Sequence, residues 1–151
     1  MRIIQGGLKM REILFRGKRE GTGEWVYGFY APYRTIVKTV QHRIYTGEAD
    51  KVDGQLDFYP DFYPDFYNVI PETVGQYTGF KDKNNVKAFE GDIVACNQSG
   101  SYGISVIIYD NSAFYVMPLN GNILERTLWD YWYNDWDIEV IGNVHDGGAY
   151  D

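Results

Sequence analysis

The alternation of apolar and polar residues along the N-terminal part of this chain predicts β-strands. Loose alternation over residues 11–17 predicts a first strand, and residues 24–31 predict a second strand that is apolar on both faces. The β-branched stretch over residues 34–45 predicts a third. Pro32 is expected to end the second strand, because proline cannot donate a hydrogen bond to a strand ladder.

The middle of the chain predicts a hairpin over residues 74–94. An apolar run ends at Phe80, a polar turn follows, and the next strand opens with Asp92. Asn85 and Gly91 suit this path, because both tolerate the left-handed backbone that tight reversals require. An aspartate beside glycine at the start of a strand commonly accepts hydrogen bonds from nearby backbone N–H groups. We therefore predict a structural role for Asp92.

Three further strands are predicted over residues 104–109, 113–117 and 138–144, with Gly142 at a bulge or a close backbone approach. The dipeptide Asn120-Gly121 is the strongest hairpin signal in the chain, since both residues can adopt positive φ. The sequence therefore predicts a protein of the all-β class, in which most of the regular structure is β-strand.

Between these last strands lies a segment, residues 129–136, that holds three of the four tryptophans. It predicts one helical turn or an irregular crossing. Its aromatic side chains either close one end of the fold or form an interface. Base stacking is the less favoured interpretation, because it normally accompanies a positive groove and the charges interleaved here are negative.

A tandem repeat interrupts the predicted strands. Asp57-Phe58-Tyr59-Pro60 recurs at residues 61–64, and a third copy begins at Asp65. Prolines at a four-residue period exclude a helix interior or a central strand and favour an extended ribbon. The repeat is either an expanded surface loop or an aromatic arm that docks on a neighbouring subunit or a host protein. The candidate partner contacts are Phe58, Tyr59, Phe62, Tyr63, Phe66 and Tyr67, together with Trp129 and Trp132.

Composition limits the classes of function. The chain has 151 residues, a net charge of −7, and 4 Trp, 14 Tyr and 8 Phe. The negative charge opposes general binding to a phosphate backbone, and no apolar run approaches the roughly 20 residues of a membrane helix. The lone Cys96 predicts a buried, inert thiol in a reducing cytosol. An excess of aromatic residues over what a core can bury indicates a self-association or partner surface.

The chain contains one dense basic cluster, which consists of Arg11, Arg16, Lys18 and Arg19. The cluster is either a solvated hairpin end or a contact to nucleic acid or an acidic partner. No phosphate-binding glycine loop, zinc-spaced ligand set or nucleophile elbow occurs, so we expect no cofactor, no metal and no enzymatic activity. Composition alone leaves a hydrolase with two catalytic carboxylates open.

Three segments carry a resemblance to a known family. "MREILFRGKR…GEWVYG", "VGQYTGFKDKNNVKAFEGDIV" and "IEVIGNV" follow one another between about Met10 and Val144, and together they resemble the YopX family of phage and prophage proteins. Residues 90–96 also resemble the first core strand of SH3-like barrels. The resemblance implies a phage or prophage protein in the cytoplasm of a bacterial host.

We expect residues 10–151 to form a single domain. It would comprise an N-terminal β part (about 10–56), the repeat loop (57–67) and an SH3-like, partly open barrel (about 74–144). Residues 1–9 are interpreted as a mistranslated leader or a disordered extension. The first interpretation arises because residues 5–10 can be encoded by a ribosome-binding sequence that ends at an ATG start codon.

These observations lead to three alternative hypotheses about function. The first is a non-enzymatic accessory protein that acts through protein–protein contacts as a homo-oligomer, or with a phage or host protein. The second is a nucleic-acid-associated regulator that uses the basic cluster. The third is an acidic DNA mimic that carries regularly spaced Asp57, Asp61 and Asp65.

Overall fold

The computed structural model describes residues 11–46 and 65–147, and in this part of the chain two antiparallel β-sheets account for most of the fold. The first sheet has six strands in the order β4-β3-β2-β1-β5-β6. Their bounds are β1 (Phe15–Lys18), β2 (Trp25–Arg34), β3 (Val40–Tyr45), β4 (Phe66–Asn68), β5 (Gly75–Lys81) and β6 (Lys87–Phe89).

The second sheet has five strands in the order β10-β9-β8-β7-β11. Their bounds are β7 (Asp92–Gln98), β8 (Ser101–Asp110), β9 (Ala113–Gly121), β10 (Arg126–Thr127) and β11 (Asp137–Asn143). One α-helix, α1 (Leu128–Asn134), connects β10 to β11, and a short 3₁₀ turn spans Pro71–Thr73.

The prediction of an all-β protein is confirmed. The described strands form two open sheets and no closed barrel, so the SH3-like barrel stays a prediction. The placement of β5 and β6 differs from the expected division of the chain at residue 74. Both strands belong to the first sheet, because β5 pairs with β1, with Gln76 opposite Phe15. The boundary between the sheets therefore falls between Phe89 and Asp92.

The hairpin formed by β2 and β3 corrects two expectations. Pro32 lies inside β2 opposite His42, and residues 35–39 form a turn where a strand was predicted. Beyond Gly28, β2 pairs only with β3 among the residues that the structure describes, and proline is tolerated where a strand has no partner on one side. Lys38 adopts a φ of 63° and completes the turn.

The predicted turn between β5 and β6 is confirmed, and Asp82 organises it. Asn85 has a φ of 64°. Asp82 Oδ1 accepts hydrogen bonds from the backbone N–H groups of Asn84 at 2.8 Å and Val86 at 2.9 Å. Asp82 Oδ2 accepts a third, from Val140 N at 2.9 Å. One buried carboxylate thus shapes the turn and attaches it to β11 of the second sheet.

In the second sheet, the tight hairpin is not at Asn120-Gly121. Those residues end β9, where Asn120 Oδ1 accepts a hydrogen bond from Ile104 N next to a bulge in β9. The two-residue reversal lies between β8 and β9 at Asn111 and Ser112, with φ values of 45° and 67°. The predicted bulge in β11 is confirmed, since its register with β7 shifts between Val140 and Gly142.

The main hydrophobic core lies between the second sheet and α1. It is formed by buried side chains from β6 to β11 and α1, namely Ala88, Val94, Cys96, Ile107, Val116, Ile123, Leu128, Tyr131 and Ile138. In the first sheet, Ile44 and Val69 are buried. These cores leave residues 31–34 of β2, the tip of its hairpin and one face of α1 exposed to solvent.

Candidate protein interaction surfaces

The first candidate surface lies on the β2–β3 hairpin. At its tip the side chain of Ile36 is fully exposed, and Val37 is 74% exposed. Phe29, Tyr33 and Val40 add further exposed apolar area. We call these five residues, together with the exposed cations Arg34 and Lys38, the hairpin surface. Two adjacent exposed β-branched residues on a turn are unusual, because burying apolar area is the dominant favourable term in folding.

The hairpin surface rests on an ordered base. The guanidinium of Arg43 lies 3.9 Å from the ring centre of Tyr33 and 4.0 Å from that of Phe66, which belongs to β4. At the tip, Thr35 and Thr39 are joined through their hydroxyls at 2.6 Å and through a backbone hydrogen bond at 2.9 Å. These contacts hold the exposed residues in one conformation, which lowers the entropy cost of binding a partner.

On the face of the hairpin that also carries Arg34 and Val40, His42 has a structural environment. Its ring stacks on Tyr30 with an interplanar angle of 6°, and its Nδ1 lies 2.5 Å from the Tyr30 hydroxyl. The side chain is half-buried between β2 and β3. His42 thus occupies a cross-strand environment.

The second candidate surface lies on α1. Trp129, Trp132 and Tyr133 are spaced three and four residues apart, so they occupy one face of the helix, and all three are exposed. The rings of Trp129 and Tyr133 stack with centres 4.9 Å apart and an angle of 15°. We call these three residues the helix surface. Trp129 and Trp132 were predicted partner contacts, and the structure brings them together.

The buried face of α1 anchors this surface. Tyr131 is fully buried, and its hydroxyl accepts a hydrogen bond from Gln98 Nε2 at 2.8 Å. At the start of the helix, Thr127 and Asp130 form a reciprocal capping box. The aromatic segment is thus a helix whose inner face packs on the core, while its outer face carries the exposed rings.

The basic cluster does not form a free cationic patch, and Arg16 corrects the prediction most clearly. Arg16 is only 6% exposed and its Nη2 donates a hydrogen bond to Asp92 Oδ1 at 2.5 Å. Its guanidinium lies 4.7 Å from the ring centres of both Trp25 and Phe89. A side chain enclosed in this way cannot reach a nucleic acid, and the prediction for Arg16 is wrong for that reason.

The other cations of the cluster are spread over different contacts. Lys18 Nζ donates a hydrogen bond to the carbonyl of His145 at 2.8 Å and lies 2.7 Å from Asp146. Arg19 pairs with Glu24 at 3.2 Å and lies over the ring of Tyr67. Arg11 is exposed and lines a separate surface groove of about 390 Å³. Nearby carboxylates thus offset the charge of two of these cations.

The repeat is only partly described. Phe58, Tyr59, Phe62 and Tyr63 lie outside the described residues, as do Asp57 and Asp61 of the DNA-mimic hypothesis. Phe66 and Tyr67 belong to β4, opposite Tyr45 and Ile44 of β3. Both are half-buried and contact cations of their own chain, so these two residues contribute to the first sheet.

The interior offers little reactive chemistry among the described residues. Burial raises the pKa of the Cys96 thiol, which favours the unreactive protonated form. Asp92 Oδ2 accepts a hydrogen bond from Phe89 N at 2.7 Å, which confirms its predicted backbone role. Over residues 11–46 and 65–147, no group of three or more His, Cys, Asp or Glu side chains could hold a metal ion.

No helix within those ranges has the length and apolar character needed to cross a membrane.

Sequence reasoning missed the exposed tip of the hairpin and the partner of Arg16. The tip had a local signal, since two threonines flank the segment Ile36-Val37-Lys38 symmetrically and can close a turn by bonding to each other. The pairing of Arg16 with Asp92 had no such signal, because 76 positions separate the two residues.

Comparison with known proteins places the chain in one family. The family described as "YopX protein" matches residues 14–148, which is nearly the whole chain. No curated protein matches it.

Proposed function

Because this chain belongs to the YopX family of phage and prophage proteins, we propose that it is a non-enzymatic accessory protein that acts by binding another protein in the cytoplasm of the bacterial host. The observation that carries this proposal is the hairpin surface. Its apolar tip is exposed on an ordered hairpin. Contiguous exposed apolar residues rimmed by charge are typical of protein interaction sites.

The composition of the hairpin surface supports a protein as the ligand. Aromatic residues and arginine are enriched in the energetically dominant parts of protein interfaces. Phe29 and Tyr33 supply exposed rings on one face of the hairpin, and Arg34 supplies a cation on the other face. Ile36 and Val37 lie on the turn that joins two paired strands, and such a tip suits insertion into a groove of a partner better than enclosure of a small molecule.

The test is affinity capture from the bacterial host with a tagged protein. The hairpin variant carries Ile36→Ser and Val37→Ser, which remove the apolar tip without touching the core. Val86→Ser is the matched control, because Val86 is an exposed β-branched residue on a different turn. We expect wild type and control to retain the same protein, and the hairpin variant to retain about 30-fold less of it, as for the loss of an interface hot spot.

Two results would contradict the proposal. One is capture of no protein at all, with a monomer in light scattering. The other is equal capture by wild type and the hairpin variant while both remain folded by circular dichroism.

A further inference from the structure

We propose that the hairpin surface of one copy docks on the helix surface of a second copy, which makes the protein self-associate head to tail. This inference rests on the proposed function and identifies one of its partners as the chain itself. It follows from the opposite charge and matching apolar character of the two surfaces.

The hairpin is a cationic region of an acidic protein. Residues 25–46 contain three cations, Arg34, Lys38 and Arg43, and no carboxylate. Arg34 and Lys38 are exposed beside the apolar tip. Since the whole chain has a net charge of −7, this local positive charge contrasts with the rest of the molecule and favours an acidic partner.

The region around α1 has the opposite character. Residues 125–139 contain five carboxylates and one cation, Arg126. Glu125, Asp135 and Asp137 are exposed and flank the helix surface along the chain. An apolar tip with a cationic rim would thus meet exposed rings with an acidic rim. Such complementary potentials speed encounter and set the orientation of the two partners.

The apolar parts of the two surfaces also suit each other. Trp129 and Tyr133 present stacked rings, whereas Ile36 and Val37 present small branched side chains on a narrow turn. Large rings around a small apolar knob make an interface centre from which water is excluded. Neither surface contributes to the hydrophobic core among the described residues.

The proposed contact joins two different surfaces, so it is heterologous. A heterologous contact generates a closed ring or an open filament, because every copy keeps one unused surface of each kind until the assembly closes. A symmetric dimer through two hairpins or two helices would behave differently. This difference provides the test.

The first measurement is the molecular mass by sedimentation or light scattering over a range of protein concentrations. The hairpin variant removes one surface, and the helix variant, Trp129→Gln with Tyr133→Gln, removes the other. At protein concentrations at which wild type associates, we expect each variant alone to be monomeric, because its association is weakened about 30-fold. Val86→Ser should associate like wild type.

The decisive measurement is a mixture of the two variants. Each retains one intact surface, so an equimolar mixture should form a heterodimer of one copy of each and grow no further. If the helix variant alone still dimerises, or if the mixture stays monomeric, the head-to-tail contact is excluded. Charge gives an independent check in the same mixture. Arg34→Glu added to the helix variant should weaken the heterodimer, and Glu125→Arg added to the hairpin variant should restore part of the lost affinity.

The outcome separates this inference from the proposed function. If wild type stays monomeric at all concentrations while affinity capture finds a hairpin-dependent phage or host protein, self-association is refuted and the proposed function stands. If the captured protein and the self-association are both absent, both proposals fall. Association should also weaken as salt rises, because the Debye length shortens to about 10 Å at 0.1 M.

Discussion

Arg16 Nη2 and Asp92 Oδ1 are 2.5 Å apart in the interior and join the first sheet to the second. Arg16 belongs to β1 and Asp92 opens β7, so the ion pair links two strands that share no ladder. Asp92 is 1% exposed and also accepts a hydrogen bond from Phe89 N. Each charge stabilises the other in an interior where an unpaired charge would carry a large desolvation cost.

Removing Arg16 should therefore destabilise the protein strongly. Arg16→Met leaves the Asp92 carboxylate buried without its cation, which costs about 3–5 kcal/mol. The free energy of unfolding in denaturant provides the measurement. Adding Asp92→Asn to Arg16→Met should recover part of the loss, because it removes the unpaired charge. If the double variant is as unstable as the sum of the single variants, the pair is not coupled.

The Arg16→Met variant should also depend on pH in a defined direction. Burial raises the pKa of Asp92, and the nearby Arg16 guanidinium opposes this rise. Without Arg16 the folded-state pKa rises further above the unfolded value. A raised carboxyl pKa means that folding is most favourable when the group is protonated, and that stability is lost as pH rises through the folded pKa. The stability difference from wild type should therefore shrink on acidification.

Asp82 should be a second determinant of stability. Its carboxylate accepts three backbone hydrogen bonds, two within the turn and one from Val140. We expect Asp82→Ala to lower the free energy of unfolding by about 2–3 kcal/mol, because three partly buried hydrogen bonds lose their acceptor. Asp82→Asn keeps one acceptor oxygen and should cost less. Hydrogen exchange at Val140 provides a local measurement, and unchanged protection in the alanine variant would contradict this role.

Gly28 should be essential for the hairpin. A Cβ atom at this position would lie 2.1 Å from the carbonyl oxygen of Tyr45, so β2 and β3 could not keep their spacing. We expect Gly28→Ala to disorder the hairpin and to abolish capture of the partner. Gly17→Ala is the comparison and should cost less, since the atoms nearest to its Cβ would belong to the side chain of Val69, at 3.1 Å, and not to the backbone. Thermal unfolding and affinity capture of both variants test this difference.

Asp146 should contribute stability only above its folded pKa. Its slight burial raises the pKa, but hydrogen bonds from Lys18, Trp25 and Asn143 outweigh this effect, and the pKa lies below its usual value. A lowered carboxyl pKa gives stability that is present above the unfolded pKa and is lost as pH falls through the folded pKa. Asp146→Asn should therefore cost about 1 kcal/mol at neutral pH, the scale of a surface ion pair. The difference from wild type should disappear in acid, and an equal loss at every pH would contradict the assignment.

Much of the local structure could be predicted from the sequence, because it depends on neighbours in the chain. The alternating pattern predicted β-strands. Asn85, Gly91 and Gly142 predicted a turn, a positive φ and a bulge that the structure has. Asp92 was correctly predicted to bond nearby backbone.

Other features depended on residues far apart in the chain. Pairing with β1 drew β5 and β6 into the first sheet, and no periodicity within β5 predicts that partner. The Asn120-Gly121 signal was overridden because β9 extends along β8 to a bulge.

By itself, the sequence determined that the chain forms strands, where several of them turn, and the family to which it belongs, since these depend on local backbone preferences and on motif order. Only the tertiary structure decided which charges and which aromatic rings are exposed. Arg16, a predicted surface cation, is paired in the interior, and Ile36, which lies in a predicted strand, is exposed at a hairpin tip. The physical reason is that burial depends on contacts between segments distant in sequence, which set the desolvation of each side chain.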